Sequence, residues 1–284
     1  MQKNIETFLG CDSDYNESKI VIFGAPFDST TSYRPGARFA SRVMRAESYG
    51  LETYSPYQNL DVTDYKIFDG GDLELCFGDT NLALDDIKNF AQKIFSDNKI
   101  PVMIGGEHLV TLGMFRAAVE KYPDIKVIHF DAHTDLRDDY LGAKLSHATV
   151  IRRIWDIIGD GKIFQFGIRS GDRPEFEFAA QHTRLQKFNF TGLGKVIGEV
   201  AKAPIYLTID LDVLDPSIFP GTGTPEAGGV TFLELLDAAL KVISQCNVVA
   251  VDLLELSPPY DPSGISTATA LKLLREIILA LSVF

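Results

Sequence analysis

The sequence predicts an α/β fold, a mostly parallel β-sheet with helices on both faces. Three observations carry that reading. Short β-branched runs recur along the chain without alternation of polar and apolar residues, which is what strands covered on both faces require. Segments of helical period separate these runs, and clusters of Asp, Glu and His follow several of them directly.

The predicted strands, in order, are residues 19–23, 100–104, 125–130, 164–168, 205–209 and 248–253. Between the first two, Leu84, Ile87, Ala91 and Ile94 share one helical face. Leu233, Leu236, Leu240 and Ile243 predict a second helix, opened by a capping box of Thr231 with Glu234. A third runs from about Thr267 to the C-terminus. Gly/Pro-rich stretches at 32–37, 219–229 and 258–264 follow strands or precede helices, and read as functional loops. With no repeat, low-complexity tract or linker, residues 1–284 are expected to form one domain.

Composition narrows the function. The chain is 45% hydrophobic and 23% charged, ordinary values for a soluble protein with a sizeable core. No apolar run approaches the ~20 residues of a membrane span, and the N-terminus lacks the apolar stretch of an export signal. Cys11, Cys76 and Cys246 are far apart and odd in number, which suits a reducing cytoplasm rather than a disulfide framework. A formal net charge of −12 argues against nucleic acid, which demands a basic footprint. It is compatible with a cationic substrate, although a solvated acidic surface accounts for most of it.

The chemistry lies at four strand ends. Residues 100–104 lead into Gly-Gly-Glu-His, ending at His108; residues 125–130 lead into Asp131, His133 and Asp135. Residues 205–209 lead into Asp210 and Asp212, and residues 248–251 of the last strand into Asp252 and Glu255. Ligands of open parallel sheets gather at these carboxyl ends. Side chains two apart on an extended segment share a face, so Asp210 and Asp212 repel unless a cation lies between them. Two His and four Asp without a thiolate form an oxygen-rich set that favours Mn²⁺ over structural zinc, and their number suits two ions. Two divalent ions ~3.5 Å apart repel by about 19 kcal/mol at an effective dielectric of 20, which four carboxylates can offset.

These motifs resemble the ureohydrolase family of arginases, agmatinases and related guanidine hydrolases. The likeness starts at Ser-Tyr-Arg-Pro-Gly-Ala-Arg (32–38) and runs through the segments ending at His108 and Asp135. It continues through Leu-Ser-His-Ala around His147, Thr-Ile-Asp-Leu-Asp ending at Asp212, and Asp252 to Glu255. The stretch 215–229, with Pro-Gly-Thr-Gly-Thr-Pro-Glu at its centre, is closer to agmatinases than to arginases. The resemblance implies a three-layer α/β/α sandwich around an eight-stranded, mostly parallel sheet, in trimers or hexamers. It implies two Mn²⁺ per subunit, one held by His108, Asp131, Asp135 and Asp210, the other by Asp131, His133, Asp210 and Asp212. It further implies a metal-bridging hydroxide oriented by Asp135, a proton-shuttling His147, and Glu255 as the carboxylate that binds a guanidinium. His129 and His182 match no motif and read as structural.

The substrate tail is less defined. Asp138 and Asp139, in the loop between Asp135 and His147, suit a second cationic end and hint at agmatine, giving putrescine for polyamine synthesis and urea. Arg137 beside them could instead receive the carboxylate of guanidinobutyrate. Arginine and formiminoglutamate are further alternatives, as is an inactive regulatory relative. That last reading would have been favoured by the loss of a ligand, of His147 or of Glu255, and none is missing.

Overall fold

The computed structural model of the chain describes residues 1–2 and 4–283. Its strands are β1 (Ile20–Gly24), β2 (Tyr54–Ser55), β3 (Leu60–Asp61), β4 (Ile67–Asp72), β5 (Ile100–Ile104), β6 (Lys126–Phe130), β7 (Ile163–Ile168), β8 (Arg184–Lys187), β9 (Pro204–Asp210) and β10 (Asn247–Leu254). The helices are α1 (Ala40–Ser48), α2 (Thr80–Ser96), α3 (Val110–Lys121), α4 (Val150–Ile158), α5 (Arg173–His182), α6 (Leu193–Val200), α7 (Phe232–Gln245) and α8 (Ile265–Ser282). Eight strands form one sheet in the order β4-β1-β5-β10-β9-β6-β7-β8, while β2 and β3 form a separate small hairpin. Every pairing in the large sheet is parallel.

The unbroken apolar runs are explained by the layers. Along β1, Ile20 and Ile22 enter the core on one face, and Val21 and Phe23 enter it on the other. The first face is covered by α1, α6, α7 and α8, and the second by α2, α3, α4 and α5. A three-layer α/β/α sandwich results, in which each fully buried Val, Leu, Ile or Phe contributes roughly 1.5–3 kcal/mol.

All six predicted strands are present, with ends shifted by at most one residue. The capping box of α7 forms as expected: Thr231 N–H donates to Glu234 Oε2 (2.8 Å) and Glu234 N–H to Thr231 Oγ1 (3.3 Å). Leu233 is a correction, being 60% exposed, because the buried face of α7 runs through Leu235, Leu236, Ala239, Val242 and Ile243. The last helix starts at Ile265, after Gly264 in the left-handed region, and is described to Ser282; the predicted end at Phe284 lies outside the described residues. Two sheet strands had no sequence signal. In β4 the residues Asp69, Gly70, Gly71 and Asp72 hide an edge strand, and β8 is a polar edge. Among the described residues, no helix is long and apolar enough to cross a membrane.

The order of the strands positions the site. The chain builds β1, β4 and β5, skips two places to lay down β6, β7 and β8, and returns to fill the gap with β9 and β10. The carboxyl ends of β5, β10, β9 and β6 therefore lie side by side in the middle of the sheet, where a parallel sheet presents its ligand crevice.

Candidate active site

All four predicted strand ends meet at this edge. Asp210 closes β9, Asp131 follows β6, Glu255 follows β10, and His108 lies four residues beyond β5. The approach to His108 needs glycine at 106, since a Cβ there would lie 1.8 Å from the Phe27 carbonyl oxygen. The neighbouring Glu107 N–H donates to that same oxygen (2.8 Å). His108, His133, Asp135, His147, Asp210 and Glu255 line one cavity, joined by Ser32, Arg137, Tyr140, Asp172, Glu175 and Thr224. Asp131 and Asp212 lie in its floor, both buried. Asp135 (φ 52°) and Glu255 (φ 63°) hold the left-handed backbone that non-glycine residues seldom adopt, a local cost that recurs at functional sites.

Two nests of ligand atoms share Asp131. On one side, His108 Nδ1 lies 3.1 Å from Asp131 Oδ2, 3.0 Å from Asp135 Oδ2 and 3.4 Å from Asp210 Oδ2. On the other, His133 Nδ1 lies 3.0 Å from Asp212 Oδ2 and 3.5 Å from Asp131 Oδ1. Backbone donors hold the carboxylates in place: Asp212 N–H on Asp210 Oδ1 (2.9 Å), Ala132 N–H on Asp212 Oδ1 (3.2 Å) and His133 N–H on Asp131 Oδ1 (2.5 Å).

The electrostatics show an excess of buried negative charge. Burial, then Asp212 and Asp131, push the Asp210 carboxyl well above its ordinary range. Burial and Asp131 likewise raise Asp135, and burial and Glu107 raise Glu255 well above the usual carboxylate range. Burial opposes a charge on His108, yet the carboxylates of Asp131, Asp135 and Asp210 pull it well above the usual histidine range. Buried like charges of this kind need a cation among them.

The donors fit metal ions. His108 Nε2 lies 3.0 Å from Thr208 Oγ1, which engages one side of the ring. The other nitrogen, Nδ1, is buried, points among three carboxylates and has no hydrogen-bond partner. An orphaned imidazole nitrogen facing carboxylates, with its second nitrogen anchored behind it, is the arrangement of a ligating histidine. Asp131, His133 and Asp212 also converge closely enough to hold an ion.

His129 is more than a core histidine. Its Nε2 lies 2.7 Å from Asp131 Oδ2, while Gln165 Nε2 lies 3.2 Å from its Nδ1. The Gln165 amide is oriented by the Thr134 carbonyl, which only accepts (2.8 Å), and by Thr183 Oγ1, which donates to Oε1 (3.0 Å). Gln165 therefore donates to His129 Nδ1, and His129 Nε2–H donates to Asp131. The signal was present in the sequence: His129, Asp131 and His133 follow the same period of two. His182, by contrast, sits outside the cavity, against Asp160 (2.8 Å) and beside Trp155 and Phe178.

At the rim the structure departs from expectation. Asp138 pairs with Arg153 (2.7 Å), Asp139 accepts from Gly142 N–H (2.8 Å), and neither lines the cavity. Arg137 does line it, but its guanidinium is engaged by Asp172 (2.8 Å) and Glu175 (3.4 Å). Those two carboxylates follow β7 and form the capping box of α5, Glu175 N–H donating to Asp172 Oδ1 (3.2 Å) and Asp172 N–H to Glu175 Oε2 (2.8 Å); the Asp-x-x-Glu spacing was the signal in the sequence.

His147 reaches in from the loop before α4. Its Nδ1 lies 3.0 Å from the Thr30 carbonyl oxygen, and Nε2 lies 3.5 Å from Ser32 Oγ. A carbonyl only accepts, so Nδ1 carries the proton and Nε2 keeps its lone pair. Burial pushes the ring's pKa down to about 4.

A parallel α/β sheet carrying an imidazole–carboxylate cage at its central strand ends defines a class of metal-binding α/β enzyme. Within that class the chain belongs to the Arginase family, whose model matches residues 18–280. It is similar to the agmatinase of Bacillus cereus, with 46% identity over 96% of each chain. It is also similar to a solved structure from Clostridium difficile, 56% identical with a TM-score of 0.92 over 95% of this chain and 99% of that one. The agmatine ureohydrolase of Thermoplasma volcanium superposes with a TM-score of 0.89 at 33% identity, over 98% and 94% of the two chains.

Proposed function

We propose that the chain is a two-metal ureohydrolase that hydrolyses agmatine to putrescine and urea. The observation that carries this reading is the acidic cavity. A cage of four aspartates and two histidines lies at its floor, Glu255 stands beside it, and two carboxylates at the rim outnumber Arg137. Agmatine is cationic at both ends, so both ends of such a cavity suit it. Guanidinobutyrate would bring a carboxylate to a rim whose arginine is already paired.

His108, Asp131, Asp135 and Asp210 would hold one manganese, and Asp131, His133, Asp210 and Asp212 the other; an oxygen-rich, thiolate-free set favours that metal. When bound, the pair would supply the Lewis acidity that brings the ionisation of water towards neutral pH. The chain's own residues do the rest. Glu255, with Oε1 held by His108 N–H (2.8 Å), orients the guanidinium with its remaining oxygen. Asp135 orients the attacking water. His147 takes up a proton at Nε2 and returns it to the departing amine, which cannot leave as an anion. The whole chain acts as one domain, in a homo-oligomer (trimer or hexamer) and in the cytoplasm, where its three free cysteines stay reduced. Sedimentation checks the first of these assemblies and fractionation the location.

Urea release measured with manganese across agmatine, arginine and guanidinobutyrate, with formamide release from formiminoglutamate alongside, tests the reading. Agmatine is expected to dominate. Equal or faster turnover of guanidinobutyrate would overturn the acidic-rim argument.

A further inference from the structure

We propose that Glu107 is a positioning residue for His147, acting through Thr30 to fix which ring nitrogen carries the proton. Glu107 has no part in the cage, is fully buried, and among the described residues has no Lys or Arg partner; the cationic candidate beside it is His147 Nδ1, at 4.0 Å. A buried carboxylate without a counterion is costly, and here it is satisfied by one loop. Thr30 N–H (3.0 Å) and Thr30 Oγ1 (2.7 Å) both donate to Oε1, and Thr31 Oγ1 (2.8 Å) donates to Oε2.

The other side of Thr30 faces His147. Its carbonyl accepts from Nδ1–H (3.0 Å), and its hydroxyl oxygen accepts from His147 N–H (3.3 Å). Glu107 thus holds the chain on both sides of that carbonyl, at Thr30 N–H and Oγ1 before it and at Thr31 Oγ1 after it. The carbonyl shares its peptide with Thr31 N–H, which donates to the Asp28 carbonyl (3.3 Å), so turning it away breaks that bond and strains the flanking bonds to the buried carboxylate. A competitor stands ready, since Ser146 Oγ lies 3.2 Å from the same Nδ1. A hydroxyl, unlike a carbonyl, can donate. If the Thr30 carbonyl withdraws, Ser146 can donate to Nδ1, the ring proton moves to Nε2, and the lone pair facing the cavity is lost. The clamp excludes that tautomer.

The inference rests on the reading of His147 as the proton carrier, so the test includes a readout independent of turnover. In the metal-free full chain near neutral pH, ¹⁵N long-range correlation spectra of labelled histidine report the tautomer of His147, assigned by its loss in His147→Asn. Wild type is expected in the Nδ1–H form. Glu107→Ala shifts it towards Nε2–H, and adding Ser146→Ala, which removes the competing donor, restores Nδ1–H. Glu107→Gln, which keeps an acceptor for Thr30, retains the wild-type form. Should Glu107→Ala not fold, Thr30→Val carries the same expectation. With manganese and agmatine, kcat of Glu107→Ala falls about 10-fold or more while KM changes little. A folded Glu107→Ala or Thr30→Val that keeps the Nδ1–H form overturns the proposal. A tautomer shift in a chain whose wild type releases no urea from agmatine upholds the clamp and overturns the substrate reading instead.

Discussion

Two buried ionic clusters in this chain are built on opposite plans. Where α1 packs on β4 and β1, Arg45 is 3% exposed and places its Nε 2.8 Å and Nη2 3.0 Å from the two oxygens of Asp69, with Nη1 on Asp72. Phe8 N–H (2.7 Å) and Gly71 N–H (2.9 Å) complete the shell of Asp69. That cluster contains its own counterion and is closed. The cage at the ends of β6 and β9 gathers four aspartates around two imidazoles, with no Lys or Arg in contact among the described residues, and leaves His108 Nδ1 without a partner. Its counterions must come from outside. The contrast separates buried charge that holds a fold together from buried charge that awaits a ligand.

The largest effect expected from that contrast is at Asp210. Asp210→Ala should abolish binding of both ions and urea release, and elemental analysis showing two retained manganese with full turnover would reject its bridging role. Arg45→Met strips the closed cluster of its cation and should cost about 3–5 kcal/mol in urea denaturation while the surviving native protein still binds metal; an unchanged midpoint would mean that this cluster does not hold the fold together. His147 gives the next effect. Its pKa is about 4 folded against about 6.5 unfolded, so on acidification the unfolded chain takes the proton first and the native state loses stability. Between about pH 7 and pH 4 the metal-free wild type should lose up to about 3 kcal/mol more than His147→Gln, and parallel acid profiles would contradict the burial. Manganese at 100 times its Kd should add about 2.7 kcal/mol per site to the wild type and nothing to Asp210→Ala. Smallest of all, Asp138→Asn should leave KM for agmatine unchanged, because its partner is Arg153 outside the cavity; a clear rise would return this residue to the substrate site.

The sequence disclosed the chemistry that follows an apolar run and concealed what depends on the third dimension. The six cage residues and Glu255 were legible because each closes or follows such a run, and those strands end together at one edge. The period of two is not what unites them, since Asp212 lies in a 3-10 turn and Asp135 in left-handed backbone. Strands 100–104 and 205–209 were legible because two covered faces demand unbroken apolar runs. Helix α3 was missed because its residues from Val110 to Phe115 are buried all round, which removes the amphipathic stripe. Strand β4 was hidden by Gly70 and Gly71. Asp172 and Glu175 have the spacing of a helix cap, but their hold on Arg137, 35 residues or more away in the chain, left no sign. Asp138 misled for the opposite reason, being near in sequence and paired elsewhere in space. The roles of Glu107 and His129 appear only through hydrogen-bond direction, which no spacing encodes.

The late insertion of β9 and β10 between β5 and β6 also sets a timetable for synthesis. A ribosome that has delivered β1 to β8 has produced His108, Asp131, His133 and Asp135 but neither Asp210 nor Glu255. Nascent chains emerge at about 5–20 residues per second, so this half-made cage lasts for several seconds with its central two strands absent. A polypeptide stopped before residue 204 would therefore leave β5 and β6 each with a raw, unpaired edge, and the cage would close only once β9 and β10 had threaded into the middle of the sheet.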